Sequence, residues 1–165
     1  MEWVDAAKSH RLDLPSFTCT TAKPRSGGRT LPHPKPWEWE VQAFIRRLRP
    51  PLAGEVLLLG IAQRRIASVV NLAYYTVERT PVTFIRAIAV SVEWRGQGGS
   101  LADETIVHAI RRAGSDLSAL GFNRALAAGH VAPSNTPGQR LLERSGFRRT
   151  AESDSVQRWE RPFSW

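Results

Sequence analysis

Apolar residues dominate three stretches between Glu55 and Val92, with short polar breaks between them. Glu55 to Gln63 predicts a strand, Arg64-Arg65 a turn, and Ile66 to Val77 a second strand with alternating sides, so the pair reads as an antiparallel hairpin. Thr80-Pro81 is expected to break the chain before a third strand, Val82 to Val92. At Ser100 the period becomes helical. Ile106, Ile110, Ala113, Leu117 and Leu120 fall on one stripe, which predicts a helix over 100–120 ended by Gly121, with Ser100 and Asp103 as its capping box. Asn123 to Val131 predicts a buried strand, 136–144 a short helix closed by Gly146, and Phe147-Arg148-Arg149 and Ser155 to Phe163 two final strands.

The first part of the chain is less regular. Residues 12–20 read as a short edge strand with Pro15 near its start. Residues 21–36 hold four prolines and two glycines without apolar periodicity, which predicts a loop. Pro36 suits the first turn of a helix whose stripe is Trp37, Val41, Phe44 and Leu48, and Pro50-Pro51 stops it. Strands with helices crossing between them imply one mixed α/β sheet spanning residues 1–165 as a single domain.

Arg95-Gly96-Gln97-Gly98-Gly99-Ser100 stands between the third strand and the main helix. Glycines let a backbone approach closely and turn its N–H groups toward one point. A helix start adds unpaired donors and the positive end of a dipole. The stretch is therefore expected to hold phosphate groups.

Composition narrows the setting. At 165 residues the chain can bury one real core, and its longest apolar runs fall short of the roughly 20 residues of a membrane span. The start, Met1-Glu2-Trp3-Val4-Asp5, lacks the layout of a signal peptide, and Cys19 is the one cysteine, so a cytoplasmic location is expected. The net charge of +8 favours polyanionic partners, but the basic residues are spread along the chain. Nucleic acid is thus a possible partner and not the favoured one, a homodimer is left open, and the scattered histidines give no metal-ligand spacing.

With Arg95, Gly98 and Ser100 on one side and Asn135 through Leu141-Leu142-Glu143-Arg144-Ser145-Gly146-Phe147 on the other, the chain resembles the GCN5-related N-acetyltransferases (GNAT). Their signature is Arg or Gln, two residues, Gly, one residue, then Gly or Ala; Ser100 departs from its last position. The match covers about residues 55 to 163, the cofactor-binding core, and leaves 1–54 for the acceptor side. The resemblance implies a mostly antiparallel sheet in which the parallel strands Val82–Val92 and Asn123–Val131 splay to admit acetyl-CoA. It assigns the pantetheine arm to backbone groups of Val90 and Val92, the pyrophosphate to Arg95, Gly96, Gln97, Gly98, Gly99 and Ser100, and the far part of the arm to Asn135.

The implied reaction is direct transfer of acetyl to a primary amine, without an acyl-enzyme. It needs a base for the ammonium, an oxyanion donor and a proton for the CoA thiolate. A backbone N–H near Val90 can serve the oxyanion. Glu93 and His130 are the candidate bases, with Glu78 a third. Many relatives protonate the thiolate with a Tyr where this chain has Leu142; Ser145, Tyr74, Tyr75 or water are substitutes. His10 and His33 fall in loops, and His108, off the stripe, is expected to meet solvent. The acceptor is left open among a small amine, a protein amino terminus and a lysine. Two alternatives stand beside this reading: a toxin-type relative acetylating aminoacyl-tRNA, and a non-catalytic acetyl-CoA-binding module motivated by Leu142.

Overall fold

In a computed structural model that describes residues 1–11, 13–50, 52–96 and 100–165, the chain forms nine strands and three α-helices. In order these are β1 (Glu2–Asp5), β2 (Arg25–Ser26), β3 (Arg29–Thr30), α1 (Pro36–Arg47), β4 (Glu55–Ala62), β5 (Arg65–Val77), β6 (Thr80–Val90), α2 (Ser100–Ala119), β7 (Arg124–Val131), α3 (Thr136–Arg144), β8 (Arg148–Glu152) and β9 (Gln157–Ser164). Seven of the strands make one sheet in the order β1-β4-β5-β6-β7-β9-β8, and β2 and β3 make a separate small hairpin. Every pair in the large sheet is antiparallel except β6 with β7. The β4–β5–β6 meander turns at Gln63-Arg64 and Glu78-Arg79, all four with positive φ. Such paired positive φ values match the twist of the flanking strands. The first turn thus falls one residue before the expected Arg64-Arg65, and Thr80-Pro81 lies inside β6 instead of breaking the chain, with Pro81 opposite Thr76 near the strand's start.

Strand alternation gives the sheet two apolar faces, each covered. On one, Leu58, Val70, Leu72, Ile85, Ala127 and Trp159 pack against Ile106, Ala109, Ala113 and Leu117 of α2 and Leu141 and Leu142 of α3. On the other, Leu57, Leu59, Val69, Ala87 and Ala89 pack against Ile45 of α1 and against Leu14, Phe17 and Cys19. The α2 stripe matches the expected one except at Leu120, which lies past the helix end and is 71% exposed. In α1 the residues driven deepest are Gln42 and Ile45, so the expected stripe of Trp37, Val41 and Phe44 lies beside the buried face. Asp103, expected to cap α2, ion-pairs with Arg144 of α3 at 2.5 Å, and its capping partner, the Ser100 side chain, lies outside the described residues.

Among the described residues of 12–20 the expected strand does not form. Leu14–Ser16 is a 3-10 turn, and Leu14, Phe17 and Cys19 plug the space under α1 as an irregular segment. The amides of Cys19 and Thr20 both donate to the buried Gln42 Oε1, at 2.8 and 3.1 Å, in place of a ladder partner. The edge strand is instead β1, paired with β4, a segment of alternating charge and bulk too short to register as a strand. The expected loop over 21–36 contains the β2–β3 hairpin. Among the described residues no helix is long and apolar enough to cross a membrane.

Candidate functional site

The parallel pairing of β6 with β7 runs from Val82 opposite Leu126 to Ile85 opposite Gly129 and stops there, although both strands continue, to Val90 and Val131. The cause is local. Against β5, Leu72 faces Ile85 and Asn71 faces Ala87, so Arg86 is an extra residue on β6. Such a bulge bends its strand and raises its twist, which carries the end of β6 away from β7. Arg86 is held out of the sheet by an ion pair with Glu55 and by stacking over the Phe44 ring of α1, 5.3 Å from its centroid. Two strand edges thus diverge beyond Ile85 and Gly129.

The expected phosphate turn begins where β6 ends. Val92–Trp94 is a single 3-10 turn, Gly96 has φ +83°, a value glycine adopts without a Cβ penalty, and α2 starts at Ser100. Gln97, Gly98 and Gly99, three of the residues assigned to the pyrophosphate, lie outside the described residues. The Val92 amide donates to the Thr18 carbonyl at 2.9 Å, so it is already used within the chain. Val90 is half-buried at the end of β6, opposite Ser68.

Arg95 ties this turn down. Its Nε donates to the Val90 carbonyl at 3.2 Å and its Nη1 to Glu38 Oε1 of α1 at 2.9 Å. Glu38 also accepts from the Thr20 hydroxyl at 2.7 Å, and His33, buried in its loop, lies 3.2 Å from the same hydroxyl. Burial pushes the Glu38 pKa up, but the Thr20 hydroxyl, the Arg95 guanidinium and Lys35 outweigh it and hold the carboxyl below its ordinary value. Nothing local in the sequence marks Glu38 beyond its place in the first turn after Pro36.

The candidate bases separate. Glu93 is exposed and paired with Arg65 at 2.7 Å, beside a cleft of about 410 Å³ at the β4–β5 hairpin end that His10 and Arg64 also line. Glu78 sits exposed in the β5–β6 turn. His130, one residue past the last parallel pair, is exposed and meets the Phe84 ring edge-on with centroids 5.0 Å apart. Phe84 in turn lies 6.4 Å from Tyr75, which is 40% exposed on the same face.

The other proton-bearing candidates are engaged elsewhere. Tyr74 points to the opposite face, donates to Asp116 of α2 at 2.7 Å, and burial pushes its pKa up to about 12. Leu142, where many GNAT proteins carry Tyr, is 5% exposed in the apolar core. Ser145 follows it as the C-cap of α3. Asn135 is the N-cap of that helix, its Oδ1 accepting from the Gly138 amide at 3.1 Å. His108 is not free in solvent but stacks on Trp3 at 4.5 Å, and burial lowers its pKa. Burial raises the Cys19 thiol to about 11, which leaves it a poor nucleophile.

A mixed sheet with one parallel pair, its strands parting at a bulge before a long helix, shares the fold of the GNAT acetyltransferases. The chain is similar to the acetyltransferase of the GNAT family from Streptococcus pneumoniae, at 16% identity over 99% of each chain with a TM-score of 0.64. It is similar to the GNAT domain of S. lividans PAT, at 16% identity over 98% of this chain and 89% of that one, TM-score 0.66. A third similar structure is AtaTR bound with AcCoA, at 14% identity over 98% of this chain and 92% of that one, TM-score 0.66. No family model matches the chain, and no curated protein matches it in sequence.

Proposed function

We propose that the chain is an acetyl-CoA-dependent N-acetyltransferase that transfers acetyl directly to a primary amine. The observation that carries this reading is the end of parallel pairing at Ile85 and Gly129, with the Arg86 bulge beside it. An extended arm with amide groups of its own can enter such a gap as a partial strand, because unpaired strand edges recruit backbone-like partners. Val90 supplies the edge. The Val92 amide reaches the arm only after leaving Thr18, so its contribution is indirect, through the shape of the turn. The pyrophosphate is assigned to Gly96 and the start of α2, with Arg95 fixing the end of β6 against α1 through Glu38. Asn135 fixes the start of α3. Residues 1–54 border the acceptor side, since α1 packs on the same sheet face, beside the patch that carries Phe84 and His130.

His130 takes the proton from the incoming ammonium. The amine nitrogen then bonds to the thioester carbonyl carbon, a backbone N–H of β6 near Val90 stabilises the oxyanion, and the C–S bond breaks as the carbonyl re-forms. The thiolate leaves as an anion and takes up the proton that the tetrahedral nitrogen sheds as it becomes the amide, relayed by water or by the Tyr75 hydroxyl. A thiol with a pKa near about 8.5 leaves tolerably without a dedicated acid. Glu93 has no part in this sequence; its carboxylate serves the pair with Arg65.

A second reading, an acetyl-CoA-binding module without transfer, is supported by the burial of Leu142 where relatives place a proton donor. Incubation with acetyl-labelled acetyl-CoA and cell extract, separated into small-molecule, protein and RNA pools, tests both. Label in one pool is expected and identifies the acceptor class; label in the RNA pool would transfer the reading to the toxin type. Acetyl-CoA bound with no label anywhere contradicts transfer and favours the module.

A further inference from the structure

On the α1 side of the sheet, beyond the edge of α1, the floor next to the splay is built from Phe84, Tyr75, His130, Arg158 and Glu160. His130 faces Arg158 and Ala128 faces Glu160 across the β7–β9 ladder, and cross-strand partners share a face. Arg158 is held by one edge: its Nε donates to Glu160 Oε1 at 2.6 Å, and the Tyr75 hydroxyl lies beside the same guanidinium. Arg158 and Glu160 side chains are 36% and 21% exposed, so this pair sits in the floor of an open shelf.

The charge there does not cancel. Arg148 of β8 faces Glu160 from the other side in register, and among the described residues it makes no ion pair of its own. One carboxylate thus stands between two guanidinium groups. Arg158, fixed through Nε and flanked by the Tyr75 hydroxyl, has no acidic partner at its terminal nitrogens among the described residues, and a guanidinium fork matches an oxyanion in two-point geometry. The aromatic edge of the shelf, Tyr75 against Phe84 against His130, offers apolar contact between that fork and the splay.

We infer that the acceptor is a small amine that also carries an oxyanion group, carboxylate or phosphate type, seated on Arg158 with its carbon skeleton on Phe84 and its nitrogen toward His130. This assignment rests on the acetyltransferase reading of the same site. Arg148 supplies the excess positive charge that draws the oxyanion in, and Glu160 orients Arg158 without neutralising both arginines. The acceptor's ammonium is set apart from the guanidinium by its own skeleton, which places it over His130.

The test uses purified protein, acetyl-CoA and three amines on one skeleton: phenylalanine, phenylalaninamide and 1-amino-2-phenylethylphosphonate. Transfer to one or both acids over the neutral amide is expected, and the favoured acid separates carboxylate from phosphate-type acceptors. Arg158→Gln should raise KM for the favoured acid by about 10- to 100-fold, as loss of a charge-assisted contact does, while Arg158→Lys recovers part of it. A melting temperature equal to that of the unmodified protein shows the variants fold. The inference is overturned by equal use of amide and acids, by an Arg158→Gln loss of the same size on all three, or by no transfer to any of them while the cell-extract assay labels another acceptor. No label in any extract pool, or failure to bind acetyl-CoA at all, would instead remove the acetyltransferase reading on which it rests.

Discussion

Arg95 Nη1 lies 2.9 Å from Glu38 Oε1, across 57 residues of sequence, while its Nε holds the Val90 carbonyl. One side chain therefore fastens the end of β6, the turn into α2 and the first turn of α1 to one another. The end of β6 is thereby fixed against α1 before any ligand arrives, so less ordering of these two elements is left for binding to supply.

Removing that fastening should weaken acetyl-CoA binding without unfolding the protein. Glu38→Gln is expected to raise the acetyl-CoA Kd about 5- to 10-fold by calorimetry, in line with loss of a partly buried charged hydrogen bond. The Glu38 carboxyl is held below its ordinary value, so the link is intact above the carboxylate range and is lost as pH falls through the lowered value. Affinity in the unmodified protein should accordingly be flat through neutral pH and decline only in acid. An unchanged Kd in Glu38→Gln would leave Arg95 without a role in the turn.

His130 and Glu93 make opposite predictions. His130→Gln should lower kcat/KM by about 10²–10⁴, the usual weight of a proton-transfer group, with little change in melting temperature because the side chain is exposed. Glu93→Gln should leave kcat/KM within about twofold, since an exposed ion pair is worth little. A larger loss at Glu93 than at His130 would reverse the assignment.

Leu142 is expected to behave as a core residue. Leu142→Ala should lower unfolding free energy by about 2–5 kcal/mol in urea titration, as removal of a buried leucine does. A loss under about 1 kcal/mol would mean that the site tolerates cavities and is not part of the packed core.

Alkaline pH should find Cys19. Burial raises its thiol from 9.0 to about 11, so the folded state keeps the proton after the unfolded chain has released it. The protonated thiol's contribution to stability is fully present below 9.0 and lost as pH rises toward about 11. Cys19→Ala should flatten the fall in melting temperature over that window, though its neutral-pH stability is lower. The same slope in both proteins would assign the loss to other groups, Tyr74 first among them.

From residue 55 onward, strand and helix positions were legible where an element buries a regular face, Leu58, Val70 and Ile85 by alternation and Ile106, Ala113 and Leu117 at helical spacing, and least so at β8, which is exposed throughout and extends to Glu152 past the expected Phe147-Arg148-Arg149. The hairpin turns were displaced because Gln63-Arg64 and Glu78-Arg79 take positive φ without glycine or asparagine to announce it. The 12–20 segment misled for a different reason. Its apolar residues meet the core through a 3-10 turn whose amides are satisfied by Gln42, a partner far along the chain. The start of α2 at Ser100 was legible from local composition and the splay of β6 from β7 only through the family resemblance, whereas Glu38, Arg158 and Glu160 depend on which distant elements the sheet brings together, and no local pattern encodes that.

The most direct measurement is a crystal structure of the protein with acetyl-CoA. The account predicts the pantetheine arm between β6 and β7 beyond Ile85 and Gly129, with the pyrophosphate against residues 96–100 at the start of α2. A ligand lodged elsewhere, such as the cleft beside His10 and Arg64, with β6 and β7 left empty beyond the Arg86 bulge, would contradict it.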